Sequence, residues 1–149
     1  MHKPTDNTFA AKITALWMVF LLGMLFHTQL ALMPLFHGLS VAESHTHDYI
    51  SVNTVMWFML VFFLLPLLAI LGCTLSPSRQ FRRLHFGMTL VYTVLNLLHL
   101  GLDSIIAVPS YQLVLMTFLL GVGLLLNIVA YQWMRAATSE LLRWRCRES

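Results

Sequence analysis

Six polar residues recur through a segment that is otherwise apolar enough for lipid: His85, Thr89, Tyr92, Asn96, His99 and Asp103. Their intervals of 4, 3, 4, 3 and 4 residues keep all six side chains on one side of an α-helix. In hydrocarbon each such group is costly, about 2.5–3.5 kcal/mol for an aspartate near the helix centre on insertion scales. The stripe must therefore face protein, a bound group or water.

Histidine is the most versatile member of this set, since a neutral imidazole nitrogen ligates haem iron or a bare transition metal. A second histidine, His27, lies in the first apolar run, 15 residues after Lys12, while His99 lies 16 after Arg83. At about 1.5 Å per residue these offsets place the two rings about 22 and 24 Å from the basic end of a core about 30 Å thick. Both rings thus reach the same depth. If the first and third runs point the same way across a bundle, the two imidazoles can meet.

Three chemistries fit that meeting. In the first, His27 and His99 are the axial ligands of one haem b held between the first and third helices near the outer face, as in an electron-carrying b-type cytochrome. Asn96 or Asp103 would hydrogen-bond a ring nitrogen or propionate, and Gly23 and Gly101 would leave room for the flat ring. The 14-residue spacing of His85 and His99 resembles the paired ligands on one helix of di-haem b-type cytochromes. No histidine of another helix matches the depth of His85, so one haem is expected and not two. A quinone or an outer-face redox protein would be the electron partner.

The second chemistry is a copper or iron site. Asp103 stands one turn from His99, and His27, His99 and Asp103 compose a two-histidine, one-carboxylate set. The segment after the first helix adds His37, His45 and His47, with Glu43 and Asp48, as outer collecting ligands. Met24, Met33, Met56, Met59 and Met116 could lie in the same half, where thioethers suit Cu(I), although methionine in an apolar helix is usually packing material. The third is a proton relay along the stripe, which a chain this short and without an inverted repeat could run only as an oligomer. Against all three stands a structural role, in which the stripe bonds to Asn53, Asn127 or a neighbouring subunit. The protein would then be an accessory subunit of a larger respiratory or photosynthetic complex.

The elements that must position these residues are helices. The chain of 149 residues is 58% hydrophobic and 10% charged, far below the roughly 25% charge of soluble domains. Its mean hydropathy is +0.76. Four runs, Ile13–Phe36, Tyr49–Cys73, Leu84–Val108 and Tyr111–Met134, exceed the roughly 20 residues that a spanning helix needs. The expected fold is all-α: a single-domain, integral membrane, four-helix up-down bundle. The first helix should stop near Met33-Pro34, and Pro66 should free a carbonyl that a neighbour must satisfy.

All nine basic residues fall before the first run, between the second and third, or after the fourth. By the positive-inside rule both termini are expected in the cytoplasm. The net charge of +3 then reflects topology and anionic lipid, and no nucleic-acid partner is expected. Ser40-Val41-Ala42 has the small-x-small form of a cleavage site, but the run before it is too long for a signal core, so a retained helix is expected. Cys73 and Cys146 have no CxxC partner and fall on the reducing side, so no disulfide is expected. The sequence has no GxSxG, no HExxH, no phosphate-cradling glycine loop and no membrane histidine-box set. Enzymatic activity, if any, would be redox chemistry at a bound centre.

Overall fold

The structure, a computed structural model, describes residues 6–38, 51–75, 78–106 and 108–145, with the side chains of 6, 52 and 137–145 left aside. Four helices occupy nearly all of it: α1 (Asp6–Phe36), α2 (Val52–Leu75), α3 (Arg79–Ile105) and α4 (Ser110–Arg145). Each is long and apolar enough to cross a membrane. The protein is an all-α four-helix bundle of membrane type. Successive helices alternate in direction, so the last turns of α1 and α3 and the first turns of α2 and α4 share one end of the bundle, here the distal end.

Local sequence explains where the helices begin and end. Ser51 and Ser78 turn their hydroxyls onto the backbone N–H groups of Thr54 and Phe81, at 3.2 Å each, and so cap α2 and α3. Pro109 precedes α4, and its carbonyl accepts from the Gln112 N–H at 2.9 Å. One expectation needs correction. Helix α1 does not stop at Met33-Pro34 but carries Pro34 inside its last turn and runs to Phe36. A proline removes only its own N–H, and its fixed φ is itself helical. The turn closes instead through His37 N–H to the Pro34 carbonyl and Gly38 N–H to the Leu35 carbonyl, with Gly38 in the left-handed region at φ 73°.

Helix α1 packs on α2 and α4, and α3 packs on α4. Helices α1 and α3 are diagonal partners whose long side chains meet across the centre. The core between them and α4 holds Ile13, Trp17, Phe20, Met116, Leu119, Leu126 and Trp133, all 0–1% exposed. Glycines set three close approaches, one of them Gly72 of α2 against the Phe81 ring of α3. A Cβ on Gly23 would run into the Leu119 side chain, and one on Gly123 would lie 3.2 Å from the Thr93 hydroxyl. Thr93 also accepts from the Asn127 amide at 2.9 Å, which ties α3 to α4.

Helix α2 packs on α1, and its Phe62 ring and Gly72 also meet Tyr92 and Phe81 of α3. Pro66 lacks the N–H that would have bonded the Phe62 carbonyl one turn before it. The Tyr92 hydroxyl of α3 donates to that carbonyl at 2.7 Å, which satisfies a group that lipid could not. A hydrogen bond to a helix's missing rung thus joins α2 to α3.

Candidate metal centre

The inward face of α3 is the polar stripe: Arg82, His85, Thr89, Tyr92, Asn96 and Asp103 are all buried, and His99 is partly buried. The rhythm begins one residue earlier than the sequence reading placed it. Arg82 stands three before His85 and keeps the 3–4 alternation, but an arginine ahead of an apolar run reads as an interface anchor. Its guanidinium lies 4.9 Å from the Trp133 ring centroid and donates to the Trp133 carbonyl at 3.3 Å.

At the distal end three side chains converge. His27 Nε2 of α1 and His99 Nε2 of α3 share a hydrogen bond of 3.3 Å, with the donor set by the tautomer; their ring centroids are 5.3 Å apart and their planes at 80°. Asp103 Oδ2 lies 3.6 Å from each of those nitrogens. Equal depth on two co-directional helices brings the imidazoles together, and the one-turn offset on α3 swings the carboxylate onto the same spot.

These distances have a chemical meaning. At 3.6 Å neither imidazole hydrogen-bonds the carboxylate oxygen, and Asp103 Oδ2 is a buried acceptor without a hydrogen-bond partner among the described residues. Burying such an atom is costly unless a cation or donor reaches it. From sides of 3.3, 3.6 and 3.6 Å, the centre of the triangle falls about 2.0 Å from all three atoms. Metal–imidazole bonds measure about 2.0–2.1 Å and metal–carboxylate bonds about 2.0–2.2 Å. His27, His99 and Asp103 are thus a group that could hold one ion.

Beside this cluster lies a cavity of about 570 Å³ lined by α1, α2 and α3. His27 and His99 border it, as do Met24, Met59 and Asn96. Asn96 is 3% exposed, and neither its amide nitrogen nor its oxygen has a hydrogen-bond partner among the described residues.

The remaining sequence candidates are scattered. His37 is exposed beyond the end of α1, while His45 and His47, with Glu43 and Asp48, lie outside the described residues. Met24 and Met59 line the cavity, Met116 is core, and Met33 and Met56 are exposed. Of the two glycines considered for a flat ring, Gly23 meets Leu119 of α4, and a Cβ on Gly101 would enter open space. Cys73 is a buried free thiol, and Cys146 lies outside the described residues.

His85 has a different environment. Its Nε2 accepts from the Trp17 indole N–H at 3.0 Å, and the rings of Phe81, Trp17 and Trp133 surround it at centroid distances of 5.9–6.2 Å. An indole N–H only donates, so that nitrogen's lone pair is already engaged. Trp17 and Trp133 were absent from the sequence reading, because tryptophan in an apolar helix is indistinguishable from packing or interface residues.

No protein-family model, curated protein or solved structure matches the chain.

Proposed function

We propose that this is an integral membrane metal-binding protein that holds one transition-metal ion between α1 and α3, ligated by His27 Nε2, His99 Nε2 and Asp103 Oδ2. The observation that carries this reading is the triangle of three donor atoms, 3.3, 3.6 and 3.6 Å on its sides, with a buried carboxylate oxygen that lacks a hydrogen bond. Two imidazoles and one carboxylate with open positions suit iron(II) best, and imidazole also suits copper(II). The basic residues all belong to the end opposite the site, which supports cytoplasmic termini and an ion held in the outer half of the membrane.

A b-type haem is the second reading, favoured by the apolar cavity that both histidines border. It asks for more rearrangement. Axial imidazoles on opposite faces of a porphyrin stand about 4 Å apart, twice a metal–nitrogen bond of about 2 Å. Asp103 Oδ2, equidistant from both nitrogens, would have to leave the space where the ring must pass.

The test is elemental analysis and an absorption spectrum of protein purified in detergent after growth with iron and copper. One ion per chain without a Soret band, lost in His27→Ala and Asp103→Asn and retained in His37→Ala, is the expected result. A Soret band that depends on His27 and His99 would replace the bare ion with haem. Protein free of both after loading with excess iron(II) and copper(II) would overturn the reading.

A further inference from the structure

We propose that the cavity between α1, α2 and α3 binds the head group of a lipid-soluble quinol, with Asn96 as its hydrogen-bonding partner. This inference goes beyond the metal site, since Asn96 is not one of the three ligand residues.

Three observations select the ligand. The first is access. The cavity's lining comes from α1, α2 and α3 and none of it from α4. Its rim includes Phe58, Leu98 and Leu102, each more than half exposed. In a bilayer this opening on the α2–α3 side meets hydrocarbon, so the ligand arrives dissolved in lipid.

The second is polarity at the back of the cavity. Asn96 brings two amide hydrogens and a carbonyl oxygen to a place where no described residue answers them. His27 Nδ1 is likewise buried and without a partner. Native proteins leave few such groups unsatisfied, and an unpartnered amide beside a cavity points to a ligand that supplies both an acceptor and a donor. An acyl chain supplies neither. A hydroquinone hydroxyl supplies both from one oxygen.

The third is shape. Phe58, Phe62 and Phe63 line the α2 side, and the thioethers of Met24 and Met59 stand near them. Aromatic faces and sulfur suit a flat, polarisable ring better than a flexible chain. Volume, aromatic wall and amide together describe a ring with a hydroxyl.

The experiment is calorimetric titration of the detergent-purified protein with a decyl-tailed benzoquinol, with palmitic acid as the competing lipid. One saturable site per chain is expected. Asn96→Leu, which keeps the volume and removes the unsatisfied amide, should weaken binding about tenfold while the helical circular dichroism stays unchanged. Ala31→Phe, which fills the cavity from α1, should abolish binding. Asp103→Asn should lose the metal and still bind the quinol, so failure of the metal reading and failure of this one are separable. Absence of saturable binding, binding indifferent to both Asn96→Leu and Ala31→Phe, or palmitic acid bound as tightly as the quinol would each overturn the proposal.

Discussion

His85 and His99 lie on the same face of one helix, 14 residues apart, yet the two ends of α3 surround an imidazole in opposite ways. Around His85 the protein answers one ring nitrogen with its own group: the Trp17 indole N–H occupies Nε2 and aromatic rings close in on the sides, while Nδ1 stays buried without a hydrogen-bond partner among the described residues. Around His99 the answer is incomplete. Two imidazole nitrogens and a carboxylate oxygen face one another at distances suited to a shared ion, and a cavity lies alongside. Residue type does not separate a structural histidine from a ligand. What separates them is the company each ring keeps: His85 Nε2 accepts from an indole, whereas the hydrogen-bonded pair of His27 and His99 stands beside a carboxylate oxygen that nothing bonds among the described residues.

The contrast can be broken by substitution, and the largest effect should come at the distal end. Removing any of His27, His99 or Asp103 leaves two ligands, and metal affinity measured by competition with a chelator should fall more than about 100-fold, beyond the 10–100-fold typical of outer-shell changes. His85→Ala should leave the metal content untouched. If His85→Ala strips the metal and His27→Ala does not, the two ends have been assigned the wrong way round.

The next effect belongs to the terminal end. Trp17→Phe keeps most of the ring and deletes the N–H, so the His85 lone pair is left buried and bare. Unfolding by sodium dodecyl sulfate should show a loss of about 1–2 kcal/mol. An unchanged unfolding curve would mean that the indole contributes by packing alone.

Tyr92→Phe should cost about 1 kcal/mol, because the Phe62 carbonyl then has neither the hydroxyl nor the amide that Pro66 lacks. Pro66→Ala restores an N–H one turn on, so it should reduce the cost of Tyr92→Phe. A double-mutant cycle with no coupling would dissociate the tyrosine from the proline.

The smallest pair compares two glycines. Gly23→Ala must displace Leu119 in a full core and should destabilise by about 1 kcal/mol. Gly101→Ala, with open space around it, should be neutral or stabilise the helix by up to about 1 kcal/mol.

Much of the fold was legible because hydrocarbon is a strict solvent. Four long apolar runs could only be spanning helices, and a 3–4 polar rhythm could only face inward. The equal depth of His27 and His99 is legible because rise per residue is fixed, and the polar rhythm turns His99 inward; that His27 faces it from α1 is shown only by the packing. The illegible parts depend on what lies across an interface. Gly23 and Gly101 look alike in sequence, and only the neighbouring helix distinguishes a tight contact from an open face. Arg82 fits the same rhythm, but nothing in the sequence separates it from the basic residues at the edge of a span that face the interface. Nothing local marks Trp17 as the donor to a residue 68 positions away.

The Tyr92 hydroxyl bonded to the Phe62 carbonyl has a mechanical consequence. Turning α3 about its own axis would pull that hydroxyl away and strand a bare carbonyl in lipid, so the pair acts as a rotational lock. The same turn would carry His99 and Asp103 past His27. By resisting it, a bond made to repair a proline in another helix keeps His27, His99 and Asp103 converged.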